Sequence, residues 1–335
     1  GDQAQILAID YLYREMGIAP EEIVYIDKDA LPFYDGEPVL LPVSMPLVDY
    51  KEGGISEMFS PKITPVFLGL TLAKDTLLPG EVAYYKQHEP VGCRDERCYD
   101  ILRGYGIQCY LGGCITVLLP ERTQDSARQT KIFVIDPTEK LKPSIPAEIA
   151  KNAIWDTHFF YGPMPNPKER AAARYRRYSE EAALVITSLL HVSVPCMAMG
   201  IPLVLAKDLV SYRFAWLEAL MKIYLPEQYP SINWHPAPVV YTAHKQRVRQ
   251  MVLHRLRGIN DAAEIQEIHD FYMQRERKPY VVDAFLPLQR FIDKTWLEPA
   301  APYRYAVWGL TQMAELTVSY IQKHYPNAKL CHVYD

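Results

Sequence analysis

The stretch ALVITSLLHVSVPCMAMGIPLVL, residues 183–205, decides the fold. It opens on ALVIT (183–187), a short apolar, β-branched run with the character of a strand buried on both faces of a parallel sheet. It continues as HVSVPCMAMG (191–200), which reads as a helix closed by glycine, and ends on a second strand, IPLVLAK (201–207). Strand, helix and strand at this spacing form a βαβ unit. In an open α/β sheet, ligands bind in the crevice at the carboxyl ends of the strands. Thr187 and Ser188 arrive at that edge, and His191 lies at the start of the following helix. An imidazole there sits near unpaired backbone N–H groups and can donate a proton to a leaving or enolic group. A lone histidine is more often structural, but this position favours a functional one.

The same alternation extends outward in both directions. Residues 3–17 place Ile6, Ile9, Leu12, Tyr13 and Met16 at helical spacing, with Gly17 as a stop. EIVYIDK (22–28), PVLLPV (38–43) and TPVFLGLTLA (64–73) read as strands. VGCR (91–94), DERCYDILRGYG (95–106) and IQCYLGG (107–113) read as strand, helix, strand. Residues 116–130 turn polar and read as a linker. KIFVIDP (131–137) is a buried strand ending in Asp-Pro, and 168–182 is a charged helix. The predicted fold class is therefore α/β, two Rossmann-like domains in a glycosyltransferase-B-like arrangement. The expected boundaries are 1–120, 121–258 and a helical extension with a β-α-β segment over 259–335. That last segment reads either as the start of a further Rossmann-like unit or as a closing β-α-β; its GLTQMA lacks two of the glycines of a dinucleotide fingerprint.

Composition narrows the function classes. Apolar residues make up 49% of the 335 and charged residues 23%, the mix of a globular protein. A net charge of −4 and a pI near 6.2 give no global basic field, so nucleic acid is not an expected partner. An anionic ligand must be gripped by a local cluster. The six cysteines include no C-x-x-C pair, which favours structural thiols in a reducing compartment over a metal or disulfides. No run of about 18 apolar residues appears, so no membrane span is expected, and the reading is cytoplasmic. The chain begins GDQAQ rather than with Met, which leaves open a missing leading strand.

Three further clusters carry chemistry. Gly1-Asp2 precedes a helix start that suits an anion, or is an ordinary N-cap. Arg94-Asp95 sets a guanidinium at a strand end, where it suits a bidentate grip on carboxylate or phosphate, or is a capping pair. In GGCIT (112–116) the glycines allow close backbone approach and Thr116 offers a hydroxyl, or the segment is only a turn.

In this order the clusters resemble the polysaccharide pyruvyltransferase family. Its members open on a Gly-Asp turn and carry an Arg-Asp motif, matched by Arg94-Asp95, and a Gly-Cys-x-Thr segment, matched by Gly113–Thr116. Their signature, a strand ending Thr-Ser-Arg-Leu-His and an apolar Pro-x-x-Ala-x-Gly-x-Pro run, reads here ITSLLHVSVPCMAMGIPLV. Tyr212-Arg213-Phe214 and NWHP (233–236) fit the region after that signature, and the likeness covers roughly 1–257.

The resemblance implies transfer of pyruvate from phosphoenolpyruvate to a sugar hydroxyl of a surface-glycan precursor, with His191 as general acid. It assigns donor binding to Gly1, Asp2, Arg94, Thr187, Ser188, Leu190 and Arg213, and the acceptor or cleft side to Gly113, Thr116 and His158. It requires neither metal nor dissociable cofactor; the partners are a glycan acceptor and, peripherally, glycan-assembly machinery. One departure matters: the family's arginine two residues before the histidine is Leu189. Loss of a charge-assisted hydrogen bond to a buried anion costs about 1.5–3 kcal/mol. Arg94, Arg213 or the basic helix at 170–177 then substitutes, or the donor has changed. A nucleotide-sugar glycosyltransferase and a non-catalytic glycan-assembly subunit are the alternative readings.

Overall fold

The computed structural model describes residues 2–44, 46–47, 54–72, 76–159, 165–275, 291–293, 295–308 and 312–334. The chain forms two compact units, Gly1–Lys278 and Pro279–Asp335.

The first unit opens with α1 (Asp2–Glu15), and Gly17, at φ +75°, turns the chain out of it. The helix packs because Ala4, Ala8 and Leu12, four residues apart, form one buried stripe. The strand expected over 22–28 is absent. Residues 20–22 and 28–33 are 3₁₀ helices, and the extended stretch between them pairs with no strand. Asp27 accepts from the Asp29 N–H and so starts the second of these helices. Sequence pattern alone supplies no ladder partner, which is why apolar alternation misleads here.

Next along the chain come short parallel strands: β1 (Val39–Val43), β2 (Pro46–Leu47), β3 (Ile63–Phe67) and β4 (Thr71–Leu72). The predicted strand 64–73 is split in two where Leu68 and Gly69 both donate to the Val43 carbonyl. After α2 (Pro79–Gln87), β5 (Val91–Cys93), α3 (Glu96–Gly104) and β6 (Cys109–Leu111) complete this half. β1 pairs with β3 and β5 with β6, all parallel, and Leu70 bridges to β5 through bonds to Gly92 and from Arg94. The expected linker begins instead as a buried 3₁₀ turn, Ile115–Leu118, whose apolar side chains outweigh the polar composition further on.

The second half is a five-stranded parallel sheet built from β7 (Lys131–Ile135), β8 (Ile154–Asp156), β9 (Ala182–Thr187), β10 (Leu203–Ala206) and β11 (Ile223–Tyr224). Its order is β11-β10-β9-β7-β8. Helices α4 (Ala147–Asn152), α5 (Pro167–Glu181), α6 (Leu190–Ala198) and α7 (Tyr212–Ala215) connect the strands. The central β9 is almost wholly buried, consistent with its apolar run. Two long helices close the unit, α8 (Thr242–Leu256) and α9 (Ala262–Met273), the latter capped by Asp261. They return to the first set of strands: the Leu111 N–H donates to His269 Nδ1 at 3.1 Å and an Arg255 nitrogen to the Pro90 carbonyl at 2.7 Å. One apolar core runs from α1 and Leu68 through the five-stranded sheet to Tyr272.

The second unit holds β12 (Arg304–Trp308), α10 (Gln312–His324) and β13 (Lys329–Tyr334), the strand–helix–strand order expected from the sequence. β12 and β13 pair in parallel with each other. Trp296, Tyr303 and Tyr325 pack beside them, and Asp293 accepts from the hydroxyls of Tyr320 and Tyr325. The loop expected to carry the fingerprint glycine lies outside the described residues. Among the described residues no helix is long and apolar enough to cross a membrane.

Candidate active site

His191 stands on the turn that joins β9 to α6, as its position in the sequence implies. Its backbone (φ −85°, ψ 21°) departs from the helix it enters. The reason lies four residues on. Pro195 has no N–H and cannot donate to the His191 carbonyl. The Tyr175 hydroxyl of α5 donates to that carbonyl instead, at 2.6 Å. Thr187 Oγ1 accepts from the Leu189 N–H at 3.0 Å and fixes the preceding turn.

The imidazole reaches two other elements. Its Nε2 lies 3.5 Å from Gln5 Nε2 on α1 and 3.8 Å from Cys114 Sγ after β6. Cys114 in turn accepts from the Thr116 hydroxyl at 3.2 Å. Burial pushes the pKa of His191 well below the usual imidazole value, and the positive charges of Arg94 and then Arg213 add to the effect. Both effects favour the neutral ring in the free protein.

Arg94 is fully buried, yet Nε and both terminal nitrogens have no hydrogen-bond partner among the described residues. Its backbone is locked: its N–H donates to the Leu70 carbonyl at 2.8 Å. Asp95 caps α3 through the Cys98 N–H at 3.0 Å and accepts from Thr71 Oγ1 at 2.7 Å. Burial raises the Asp95 pKa, and the charge of Arg94 opposes that rise. Arg-Asp is thus both a cap and a source of unspent donors. Arg213, on α7, also keeps its buried Nε unpartnered among the described residues. A buried guanidinium without acceptors is costly, and such an orphan marks a position where an anion would be satisfied.

Gly113 lies beside this cluster at φ +71°. A Cβ there would stand 2.9 Å from Trp216 Cζ3 and 2.9 Å from the Tyr272 hydroxyl oxygen, so only glycine fits.

Not every expected residue joins the cluster. Leu190 belongs to the apolar core, Thr187 caps the turn, and Thr116 is fully buried against Cys114. Gly1 lies outside the described residues, and Asp2 opens α1. Ser188 and His158 belong to a neighbouring group at the carboxyl ends of β7 and β8. The Ser188 hydroxyl donates to the Asp136 carbonyl, and the His158 N–H donates to Asp136 Oδ2 at 2.7 Å. His158 Nε2 lies 2.9 Å from the Tyr178 hydroxyl. Burial first, then Arg174, lowers the His158 pKa to about 4. Asp136 itself holds φ +43°, a left-handed conformation uncommon outside glycine and a sign of a functional position.

Gln5 and Asp136 are not among the residues expected at the site, and Cys114 enters the sequence reading only within the Gly-Cys-x-Thr segment. Asp136 ends the predicted strand KIFVIDP, the edge where ligands bind, and that was its available signal. Gln5 had none, because only the packing of α1 brings it across 186 positions to His191.

A family model for polysaccharide pyruvyl transferase matches residues 1–205, which include α1, Arg94, Gly113, Cys114 and His191. The chain belongs to the polysaccharide pyruvyl transferase family. This pyruvyl transferase is accordingly an enzyme of polysaccharide biosynthesis. A search of curated proteins finds no match. The matched span ends within β10, so Arg213 of the transferase lies beyond it, as do α8 and α9. All six of its cysteines are free thiols.

Proposed function

We propose that this transferase moves pyruvate from phosphoenolpyruvate onto sugar hydroxyls as a ketal, with His191 as the general acid. The observation that carries the reading is Arg94, buried with three nitrogens unpartnered among the described residues, beside a histidine that its charge helps keep neutral. In this reading the two halves of the first unit act as a glycosyltransferase-B-like pair, with the donor between Arg94 and His191.

The chemistry is governed by charge. Phosphoenolpyruvate brings a carboxylate and a phosphate, and Arg94 and Arg213 supply charge-assisted hydrogen bonds to them. Burial is the main cause of the low His191 pKa and the nearby cations add to it; the bound anion offsets those cations, which favours proton uptake by the imidazole as the donor arrives. His191 then gives that proton to the methylene carbon of the enol. C2 becomes electrophilic, and one sugar hydroxyl adds to it and releases its proton. Phosphate leaves, a second hydroxyl of the same sugar adds at C2, and the ketal closes. The products are the ketal and inorganic phosphate, which balances two hydroxyls against one phosphoenolpyruvate. Tyr175 is a positioning residue, since its bond to the His191 carbonyl replaces the one Pro195 cannot make.

Leu189 bears on the rival donor. Leucine in place of an arginine is the motive for a nucleotide-sugar. Leu189 contributes to the cavity beside Asp136 and Trp155, and Arg94 and Arg213 offer anion donors without it. The test is phosphate release from phosphoenolpyruvate with a panel of sugars and nucleotide-sugars. Acceptor-dependent release is the expected outcome; no release, with no calorimetric binding of phosphoenolpyruvate, would give the nucleotide-sugar reading the lead.

A further inference from the structure

A second cavity opens at the carboxyl ends of β7, β8 and β9, and none of the residues lining it has a part in the transfer steps described above. Leu189, Trp155 and Phe159 supply its apolar wall, and Asp136, Asp156 and Ser188 its polar wall. Ser188 and Leu189 lie three and two residues before His191 along the chain, so the cavity and the histidine share one strand-to-helix turn. We propose that this cavity holds the sugar ring of the acceptor, and that Leu189 makes it selective for a neutral polyol over an anion. The proposal rests on the pyruvyl-transfer reading and adds to it a location and a selectivity residue.

Three observations converge on a sugar. Trp155 is 46% exposed, but its indole N–H is already given to the Ala150 carbonyl at 3.1 Å, so what it offers is a fixed aromatic face. Phe159 is 61% exposed and supplies a second ring. Exposed rings of this size ordinarily mark a binding surface when they share a cavity. The polar wall is mostly acceptors, and the lysine in it, Lys142, is paired with the Glu139 carboxylate. Asp136 Oδ2 is used by the His158 N–H, while Oδ1 has no partner among the described residues, and its left-handed backbone fixes the direction of the carboxylate. Asp156 Oδ1 takes the Thr157 N–H, and its Oδ2 lies 3.8 Å from Arg174.

Hydroxyl donors on one side and C–H faces on the other are the chemistry of a pyranose. A phosphate or carboxylate would meet Asp136, Asp156 and Glu139, with Lys142 already paired to Glu139 and no cation from Leu189, so the donor is steered to the Arg94 side. An arginine at 189 would blur that division; leucine sharpens it.

The experiment is a set of initial rates of phosphate release against acceptor concentration, for wild type, Trp155→Ala and Leu189→Arg, with calorimetry of phosphoenolpyruvate on each. Trp155 is exposed, so folding survives, and Phe159→Ala serves as a second probe of the wall. The proposal expects KM for the acceptor to rise by about tenfold in Trp155→Ala, the loss of one aromatic contact, with donor affinity unchanged. Leu189→Arg should weaken neutral acceptors by a similar factor. An unchanged acceptor KM in Trp155→Ala and Phe159→Ala would overturn the proposal. So would weaker phosphoenolpyruvate binding in Trp155→Ala, which would make the cavity part of the donor site. Should wild type release no phosphate at all, the pyruvyl reading fails separately. Tryptophan fluorescence titrated with neutral methyl pyranosides then reads the cavity directly: quenching lost in Trp155→Phe supports a sugar site, and no quenching contradicts it.

Discussion

Replacing Arg94 by methionine separates binding from folding. The guanidinium is fully buried with no hydrogen-bond partner among the described residues, so it contributes no direct bond to the free protein's stability. Its charge favours the ionised form of Asp95, whose carboxylate still keeps the Thr71 hydroxyl and the Cys98 N–H. Methionine fills similar volume without a charge, and it removes a buried guanidinium that has no acceptor among the described residues, itself a costly feature. The free variant should therefore melt within a few degrees of wild type. Donor binding should suffer heavily. Two charge-assisted bonds at about 1.5–3 kcal/mol each amount to at least about 3 kcal/mol, or more than a hundredfold in affinity. Differential scanning calorimetry reads both effects at once. Phosphoenolpyruvate at a hundred times its Kd adds about 2.7 kcal/mol to wild type, and at the same concentration should leave Arg94→Met almost unmoved. A variant that binds the donor within threefold of wild type would refute the reasoning.

Four other consequences are open to measurement. Donor binding at neutral pH should be accompanied by proton uptake at His191, seen as a dependence of calorimetric heat on buffer ionisation enthalpy. In Arg94→Met the His191 pKa should rise, because a lowering charge is gone, and NMR titration checks the sign. Gly113→Ala should destabilise by about 1–3 kcal/mol, from positive φ and the contacts with Trp216 and Tyr272, measurable by denaturant unfolding. His244 is buried against Phe271 with both ring nitrogens unpartnered among the described residues, and burial lowers its pKa from 6.5 to about 4. A depressed folded pKa gives stability that is present above about 6.5 and lost as pH falls toward 4. At about 1.4 kcal/mol per pH unit the loss is about 3 kcal/mol, and His244→Phe should flatten that slope in melting curves.

Much of the fold was legible because its signals are local. The βαβ around 183–207 shows itself through a buried strand, a glycine stop and a second strand, and β9, α6 and β10 keep that order. Asp95 and Asp261 as caps are likewise nearest-neighbour effects. The error at 22–28 has the opposite origin, since a strand exists only if another accepts its bonds. The burial of Ile115–Leu118 was hidden for a similar reason: TVLL reads as an approach to a polar linker until α1, α6 and α8 pack around it. In the site, Arg94 and His191 announced themselves as a cation and an imidazole at strand ends. Gln5 did not, and Cys114 stood out only as part of the Gly-Cys-x-Thr segment, because nothing in their neighbours foretells a contact with a ring far along the chain. Leu190 neighbours His191 in sequence, while its side chain turns into the core.

The central claim, a pyruvyl transfer that needs the proton of His191, is tested most directly by phosphate release from phosphoenolpyruvate in wild type and His191→Gln, with and without sugar acceptors. Glutamine keeps hydrogen-bonding capacity but cannot act as the acid at neutral pH. The account predicts acceptor-dependent release in wild type and a fall of about 10²–10⁴-fold in the variant, the usual weight of a general acid, with donor binding retained. Release at an undiminished rate in His191→Gln would contradict it.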